Sequence, residues 1–338
     1  MNIRDIAQLA NVTPGTVSKV LNNYPDISSS TRQLVLKIIE ENQYKPNSYT
    51  RQQKGLSSKP SIGLIIEGVD NSLYDTLEEI LSIRLHNGNY TIMSYHDNYF
   101  AQDKSEKFEE LITYTNSNNL NGIIYIGGNF EQIPQDRFLE LPCPIVFVNT
   151  VLPNNMEETN YSSVQVNHYE TAYNQMSYLI NKGHKNICTL ISSKIDNSVY
   201  GIRVKGYANA LKDNHLEHNL SYFVEGEYNY KRSYDGLVHL LKQHTEITAI
   251  CCVADIVCIS AIRAIHDVGK VPGKDIEIIS FDGLEEINYL VPSISTFVQP
   301  VKDLTICIYD LIIGLINRER SPQHITFQAK LITNESCK

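Results

Sequence analysis

Seven cysteines, ten histidines and an uneven scatter of charge are the groups in this chain with chemistry to offer, and their spacing decides which chemistry. The cysteines (Cys143, Cys188, Cys251, Cys252, Cys258, Cys307 and Cys337) are odd in number, and most stand in apolar runs such as the Ala-Ile-Cys-Cys-Val of 249–253. None forms a Cys-x-x-Cys pair with metal spacing, so the pattern implies buried, reduced thiols and neither zinc nor disulfides. A nucleotide or nicotinamide site needs a GxGxxG or GxxxxGK(S/T) run between a strand and a helix. Gly127-Gly128 follows an apolar run but lacks the third glycine and the lysine. No HExxH or GxSxG run occurs. His184, in a Gly-His-Lys turn ahead of an apolar run, reads as a structural residue before it reads as a general base. The expectation is a protein that is not an enzyme and carries neither cofactor nor metal.

The charge is more informative. The net charge is −9, yet residues 1–60 hold eight Lys/Arg against four acids, a local balance of +4. The remaining 278 residues carry 21 basic and 34 acidic side chains, or −13. A basic head on an acidic body suits local contact with nucleic-acid phosphates.

The elements that would present this charge are short helices. Ile3, Ile6, Ala7 and Ala10 fall on one face of a helix over 3–10, with Asn2 as N-cap. Asn11-Val12 breaks the pattern, and Thr13-Pro14 restarts it with a capping hydroxyl and a proline at the first helical position. The second helix turns Val17, Val20 and Leu21 inward and leaves Pro14, Gly15, Thr16, Ser18 and Lys19 outward. A third helix from about Ser28 buries Leu34, Val35, Ile38 and Ile39 and stops at Asn42. This is a helix-turn-helix, whose second helix enters the major groove. A generic three-helix bundle shares the periodicity but explains neither the small polar outer face nor the positive balance.

From Ser61 onward short apolar runs alternate with helical segments. Strands are expected at 62–67, 90–95, 122–126 and 145–149, with helices at 72–87 and 103–117. After Ser162 the alternation resumes, with strands near 186–191, 221–224, 247–253 and 276–281 and helices near 168–182, 200–213, 231–243 and 255–268. Two runs of βα units predict two doubly wound parallel sheets, hence an α/β body of two lobes with a ligand cleft at the carboxyl ends of the strands. No run of 18 apolar residues and no export signal appears, so a cytoplasmic protein that avoids membranes is expected.

The segments IRDIAQLANVTPGTVSKVLNN (3–23) and SSSTRQLVLKIIEENQYKPNSYTRQ (28–52) resemble the head of the lactose/galactose repressor family. The likeness continues through IGLIIEGVDNSLY (62–74), YLINKGHKNI (178–187), RVKGYANAL (203–211), ADIVCIS (254–260), ISFDG (279–283), STFVQP (295–300) and the final LITNESC (331–337). It implies a helix-turn-helix head at 1–46, a hinge helix or linker at 47–60 and a periplasmic-binding-protein-like core at 61–338. Lobe one would hold about 61–161 plus 294–319, and lobe two about 162–292 plus 320–338. Pro14 and Gly15 would be the main base-reading positions, with Thr16, Ser18 and Lys19 adding base or phosphate contacts. Thr13, Asn22, Tyr44, Asn47 and Arg51 complete the implied DNA-facing set. The hinge helix of the family wedges a leucine into the minor groove. Here Gln53 stands at that position, Leu56 lies one turn on, and the expected result is a weaker central kink.

The same resemblance places Arg203, Asp255 and Asp282 around an effector, where a five-donor fork faces two acceptor carboxylates suited to a ring of hydroxyls. Tyr74 and Tyr228 would stack on a sugar face, and Asn149 would contact it from the first lobe. Three positions depart from the family pattern: Ala254 replaces an Asn, Asn167 an Asp and Thr171 a Gly, so the ligand need not be a common sugar. No tetramerising helix follows the final strand, so a homodimer on a pseudo-palindromic operator is implied. The expected function is repression of transcription under control of a small, carbohydrate-like effector. The alternatives are a sugar receptor without a DNA role, or an activator or global regulator controlled by a partner protein.

Overall fold

The computed structural model describes residues 3–10, 12–13, 16–17, 20, 29–41, 59–67, 72–97, 104–153, 160–191, 198–216 and 222–338. It separates into two compact units, Met1–Ser58 and Lys59–Lys338.

In the first unit, helix α1 (Ile3–Leu9) and helix α2 (Ser29–Glu41) flank a helical turn that includes Thr16, Val17 and Val20. Ile6, Ala7, Ala10, Val17, Val20 and Val35 form its buried core, with Val12, Ile38 and Ile39 packed against it. The Thr13 hydroxyl accepts from the Thr16 backbone N–H at 3.1 Å, which is the capping role its position before the turn predicts. Leu34 is a correction: it is 48% exposed, not buried. At 100° per residue Ile38 and Ile39 lie within a narrow stripe about Val35, whereas Leu34 and Leu36 sit a quarter-turn off it on either side.

The second unit contains two six-stranded sheets. The strands are β1 (Ser61–Glu67), β2 (Thr91–Asp97), β3 (Gly122–Gly127), β4 (Ile145–Val148), β5 (Ser162–Val166), β6 (Ile187–Ile191), β7 (Phe223–Glu225), β8 (Ala249–Cys252), β9 (Glu277–Asp282), β10 (Ser295–Val298), β11 (His324–Phe327) and β12 (Lys330–Ile332). The helices are α3 (Ser72–Asn87), α4 (Lys104–Ser117), α5 (His168–Asn181), α6 (Val199–Asp213), α7 (Tyr230–Gln243), α8 (Cys258–Asp267) and α9 (Val301–Ile316). The first sheet runs β11-β5-β4-β3-β1-β2 and every pair in it is parallel. The second runs β12-β10-β9-β8-β6-β7 and is parallel except for the edge pair β10–β12. Strands buried on both faces need no polar alternation, which is why β3 reads Gly-Ile-Ile-Tyr-Ile-Gly and is buried throughout.

The sheet memberships shift the lobe boundaries expected from sequence. β5 belongs to the first sheet, β10 to the second, β11 to the first and β12 to the second. The chain therefore crosses between lobes near 167, at 299–300 and at 328–329. β5 and β11 sit side by side in register, Ser163 against His324 and Val166 against Phe327. Their pairing is long-range in sequence, and a five-residue strand opening Ser-Ser carries no local sign of which sheet it joins.

Candidate functional site

The crossings bring polar residues of both lobes into one buried network, and helix α6 supplies its centre. Ser198 caps α6 by accepting from the Tyr200 N–H at 3.2 Å, and the helix turns Arg203, Gly206, Tyr207 and Ala210 inward. Gly206 is required by the packing. A Cβ there would stand 2.6 Å from the Tyr169 carbonyl oxygen and 3.0 Å from the Ala172 Cβ. Without one, α5 approaches closely enough to set His168 against Arg203.

Arg203 is only 1% exposed, and its three nitrogens are separately engaged. Nε donates to His168 Nδ1 at 3.3 Å, Nη1 to the Val253 carbonyl at 2.5 Å and Nη2 to Asp282 Oδ1 at 3.1 Å. The guanidinium lies over the Phe281 ring, 3.6 Å from its centroid, with Tyr200 at 4.8 Å. Burial works against the cation, but Asp282 and the neighbouring tyrosines outweigh it and hold its pKa above the ordinary value. Removing either partner of such a buried pair leaves an uncompensated charge.

His168 carries the contact to the first lobe. Its Nε2 lies 3.2 Å from Asn149 Oδ1, and Asn149 Oδ1 also accepts from the Val166 N–H at 3.0 Å. Burial, and then the charge of Arg203, push the imidazole pKa well below its usual range. A neutral ring that accepts from Arg203 at Nδ1 must hold its proton on Nε2, so Nε2 donates to Asn149.

Asp282 has φ 127°, a region costly for any residue with a Cβ, by about 1–3 kcal/mol. Its surroundings fix it there. The Gln299 backbone N–H donates to its carbonyl at 2.9 Å, and Gln299 Nε2 joins Arg203 on Oδ1 at 2.8 Å. Two buried amide atoms of this network, Asn149 Nδ2 and Gln299 Oε1, have no hydrogen-bond partner among the described residues. Each such orphan costs about 1–3 kcal/mol, a cost that a bound ligand or water removes.

Tyr74, at the start of α3, is buried, and its hydroxyl pKa is raised well above normal by burial first and then by Tyr200, with Arg203 opposing and Asp282 adding. From the first lobe it thus stands within electrostatic reach of Arg203 and Asp282. Tyr228 follows β7 with φ 54° and packs its ring 4.8 Å from that of Tyr200. Arg203, Asp282, Asn149, Tyr74 and Tyr228 thus meet around one network.

Asp255 plays a different part in the geometry. It is 0% exposed, and its Oδ2 accepts from the Gly283 and Leu284 N–H groups at 2.6 and 2.7 Å while Oδ1 accepts from the Thr296 hydroxyl at 2.8 Å. Oδ2 is spent on holding the turn that follows Asp282, and Oδ1 on Thr296 of β10. That turn needs Gly283, whose φ is 86° and whose missing Cβ would collide with the Val298 backbone at 2.9 Å. Of the departures from the family pattern, Ala254 is buried, Asn167 caps α5 by accepting from the Glu170 N–H at 3.1 Å, and Thr171 is buried in the same helix.

His168 and Gln299 were not singled out by sequence. Gln299 lies in the STFVQP landmark, but only the β10-to-α9 crossing shows what it faces. His184 takes the structural role expected of it, bridging Thr248 Oγ1 at 2.8 Å and Glu277 Oε2 at 2.9 Å. Among the described residues all seven cysteines are free, and burial pushes the Cys143 and Cys337 thiols up to about 12. Of the DNA-facing set only Thr13 and Thr16 are described, their hydroxyls 2.9 Å apart. Pro14, Gly15, Ser18, Lys19, Asn22, Tyr44, Asn47, Arg51, Gln53 and Leu56 lie outside the described residues. No helix among the described residues is long and apolar enough to cross a membrane.

Comparison with known proteins places these features. Residues 2–47 match the bacterial regulatory proteins of the lacI family, and residues 176–337 match a periplasmic binding protein-like domain. The chain is 34% identical to the HTH-type transcriptional regulator MalR of Clostridium butyricum, over 100% of this chain and 99% of that protein. It is 31% identical to catabolite control protein A of Priestia megaterium, over 94% and 93%. In fold it is similar to a lac repressor dimer solved with operator and the anti-inducer ONPF, with TM-score 0.70, 18% identity and coverage of 99% and 98%. It is similar also to a transcriptional regulator CelR–cellobiose complex, with TM-score 0.68, 20% identity and 99% of each chain covered. With a helix-turn-helix match at its head, a two-lobed core behind it and full-length likeness to such regulators, the chain belongs to the lacI family of bacterial regulatory proteins.

Proposed function

We propose that this protein is an operator-binding transcriptional repressor whose DNA affinity is set by a small, carbohydrate-like ligand held between the two lobes of residues 59–338. The carrying observation is the Asn149–His168–Arg203–Asp282–Gln299 network, which joins both lobes through the crossings and contains two unmet amide groups. A ligand that engages it acts on the hinge between lobes directly. The +4 balance of residues 1–60 and the Thr13-capped turn support groove binding by the head. The names of the relatives, among them a ribose operon repressor and a cellobiose complex, support regulation by sugars.

In this reading Pro14, Gly15, Thr16, Ser18 and Lys19 face the DNA, and Arg203, Asp282, Asn149, Tyr74 and Tyr228 hold the effector. Asp255 supports Asp282 from behind. The protein acts as a cytoplasmic homodimer on two half-sites, has no catalytic role, and transmits ligand binding as a change in the relation of the lobes. The head weighs against a transport receptor, which has no use for one.

Selection from random duplex DNA with the full-length protein tests the DNA side. A two-fold symmetric site, bound with a log–log salt slope of several units, is the expected result. Recovery of no sequence preference, or of an asymmetric single site, contradicts it.

A further inference from the structure

The second sheet forks at its carboxyl end. β8 and β9 pair only as far as Cys251 against Ile279. Beyond that point the β8 prong follows β6, with the Val253 N–H donating to the Leu190 carbonyl at 2.9 Å. The β9 prong runs on beside β10 as far as Asp282 against Val298. Arg203 spans the open end, held by the Val253 carbonyl on one prong and by Asp282 on the other. Its place therefore depends on how far the fork opens.

Gln175 stands where the prongs part. It lies on α5 and is 0% exposed, and its Nε2 donates to one carbonyl on each prong, Cys252 at 3.0 Å and Ile279 at 3.3 Å. Its Oε1 accepts from the Tyr207 hydroxyl at 2.9 Å. Turning the amide would set its carbonyl against two carbonyls, so its orientation is fixed. The side chain thus supplies donors across a gap where the strands no longer pair. Each of these bonds is made close to an anchor of Arg203: Cys252 precedes Val253, and Ile279 lies on the strand that ends in Asp282. Tyr207 follows Arg203 by one turn on the same face of α6. The amide is thereby tied to both prongs and to the helix that carries Arg203. An apolar side chain would fill the same volume but leave two buried carbonyls unmet and the prongs free to part.

We propose that Gln175 is a positioning residue for effector control: it touches no ligand, and by fixing the opening of the β8–β9 fork, with its amide oriented by Tyr207, it sets the distance between the two anchors of Arg203. This rests on the small-ligand control proposed above and extends it to a residue behind the sheet face that no motif marks.

Three variants of the full-length protein test it. Gln175→Met keeps the length of the side chain and removes its donors and acceptor. Tyr207→Phe keeps the amide and removes the hydroxyl that orients it. Leu237→Ala, buried in α7 against the opposite face of the same sheet, gives a destabilised comparator with the fork intact. One readout is hydrogen exchange at the Arg203 Nε–H, followed by NMR and identified by its loss in Arg203→Met. The other is the rise in unfolding midpoint on adding a small-molecule extract of the cells that express the protein. At equal global stability, Arg203 in Gln175→Met is expected to exchange about tenfold faster than in Leu237→Ala, and about tenfold more extract to be needed for the same rise. Tyr207→Phe moves both readouts in the same direction by less, and it carries the test if Gln175→Met does not unfold cooperatively. Exchange and extract response equal to those of Leu237→Ala overturn the proposal and reduce Gln175 to a prop of the core. A wild type that the extract does not move overturns the small-ligand control itself, while Arg203 exchange still decides whether Gln175 places it.

Discussion

Asp255 separates a ligand contact from a latch, and its substitution has a magnitude that follows from the geometry. Three donors converge on it, the Gly283 and Leu284 N–H groups at 2.6 and 2.7 Å and the Thr296 hydroxyl at 2.8 Å. In Asp255→Ala all three lose their acceptor. The two backbone groups are part-buried and cannot turn away, and each unmet N–H costs about 1–3 kcal/mol, whereas the Thr296 hydroxyl can rotate. A loss of about 2–6 kcal/mol is therefore expected, a large fraction of the roughly 5–15 kcal/mol that holds a typical domain. In a unit of this size each kcal/mol moves the midpoint by about 2–4 °C, so the fall is about 4–24 °C. Asp255→Asn behaves differently: its remaining carbonyl still takes both backbone N–H groups, and Thr296 turns its hydroxyl to accept from the new amide. That variant should lose about 1 kcal/mol or less and keep its response to effector. Urea unfolding of both variants, with the effector-induced shift in midpoint measured on Asp255→Asn, checks this. A stable Asp255→Asn protein that no longer responds to effector would refute the latch and return Asp255 to the ligand shell. An Asp255→Ala protein as stable as the wild type would refute the hydrogen-bond accounting itself.

Three further outcomes follow from the same network. Arg203→Met should cost about 3–5 kcal/mol because Asp282 is left buried and charged, and Arg203→Met with Asp282→Asn should recover more than half of it in a double-mutant cycle. Gly206→Ala, which drives a methyl against the Tyr169 carbonyl, should cost about 1–3 kcal/mol in urea unfolding, with wild-type stability the contrary result. Acidification gives a signed test. His168 is neutral when folded but titrates normally when unfolded, so its contribution is present above the unfolded pKa and lost as pH falls below it. Asp255 runs the other way: burial and the charge of Asp282 raise it to about 7, so its folded form holds a proton the unfolded form has released. Below the ordinary imidazole range the two slopes oppose each other, and Asp282, which burial also raises, adds to that of Asp255. His168→Gln removes one of them and should become more stable as pH falls below that range; an unchanged pH profile refutes the assignment.

Much of the architecture was legible because it is local. The stripe of Ile6, Ala7 and Ala10, the Thr13 cap and the unbroken apolar run of β1 each state their element within a few residues. Leu34 misled because one hydrophobic position on a short helix lies as plausibly on the stripe as beside it. The lobe boundaries misled for a longer-range reason: β5 and β11 are neighbours in space but 161 positions apart where Ser163 meets His324. The site was legible in part. Motif likeness marked Arg203 and Asp282, and the structure sets them 3.1 Å apart. It also marked Asp255, but not that the carboxylate accepts from two backbone N–H groups of the turn after Asp282. His168 and Gln299 stayed silent because a polar residue after a strand has many uses, and only the crossings bring these two to the Arg203–Asp282 pair.

The central claim, that occupancy of the inter-lobe network controls DNA binding, is tested most directly by one titration. Affinity of the full-length protein for its selected operator is measured by fluorescence anisotropy with and without effector, and effector binding is measured with and without operator. A single linkage requires both ratios to be equal, at about 5–150-fold, and both to collapse to one in Arg203→Met/Asp282→Asn. Operator affinity that ignores the effector, or effector affinity that ignores the operator, contradicts the account.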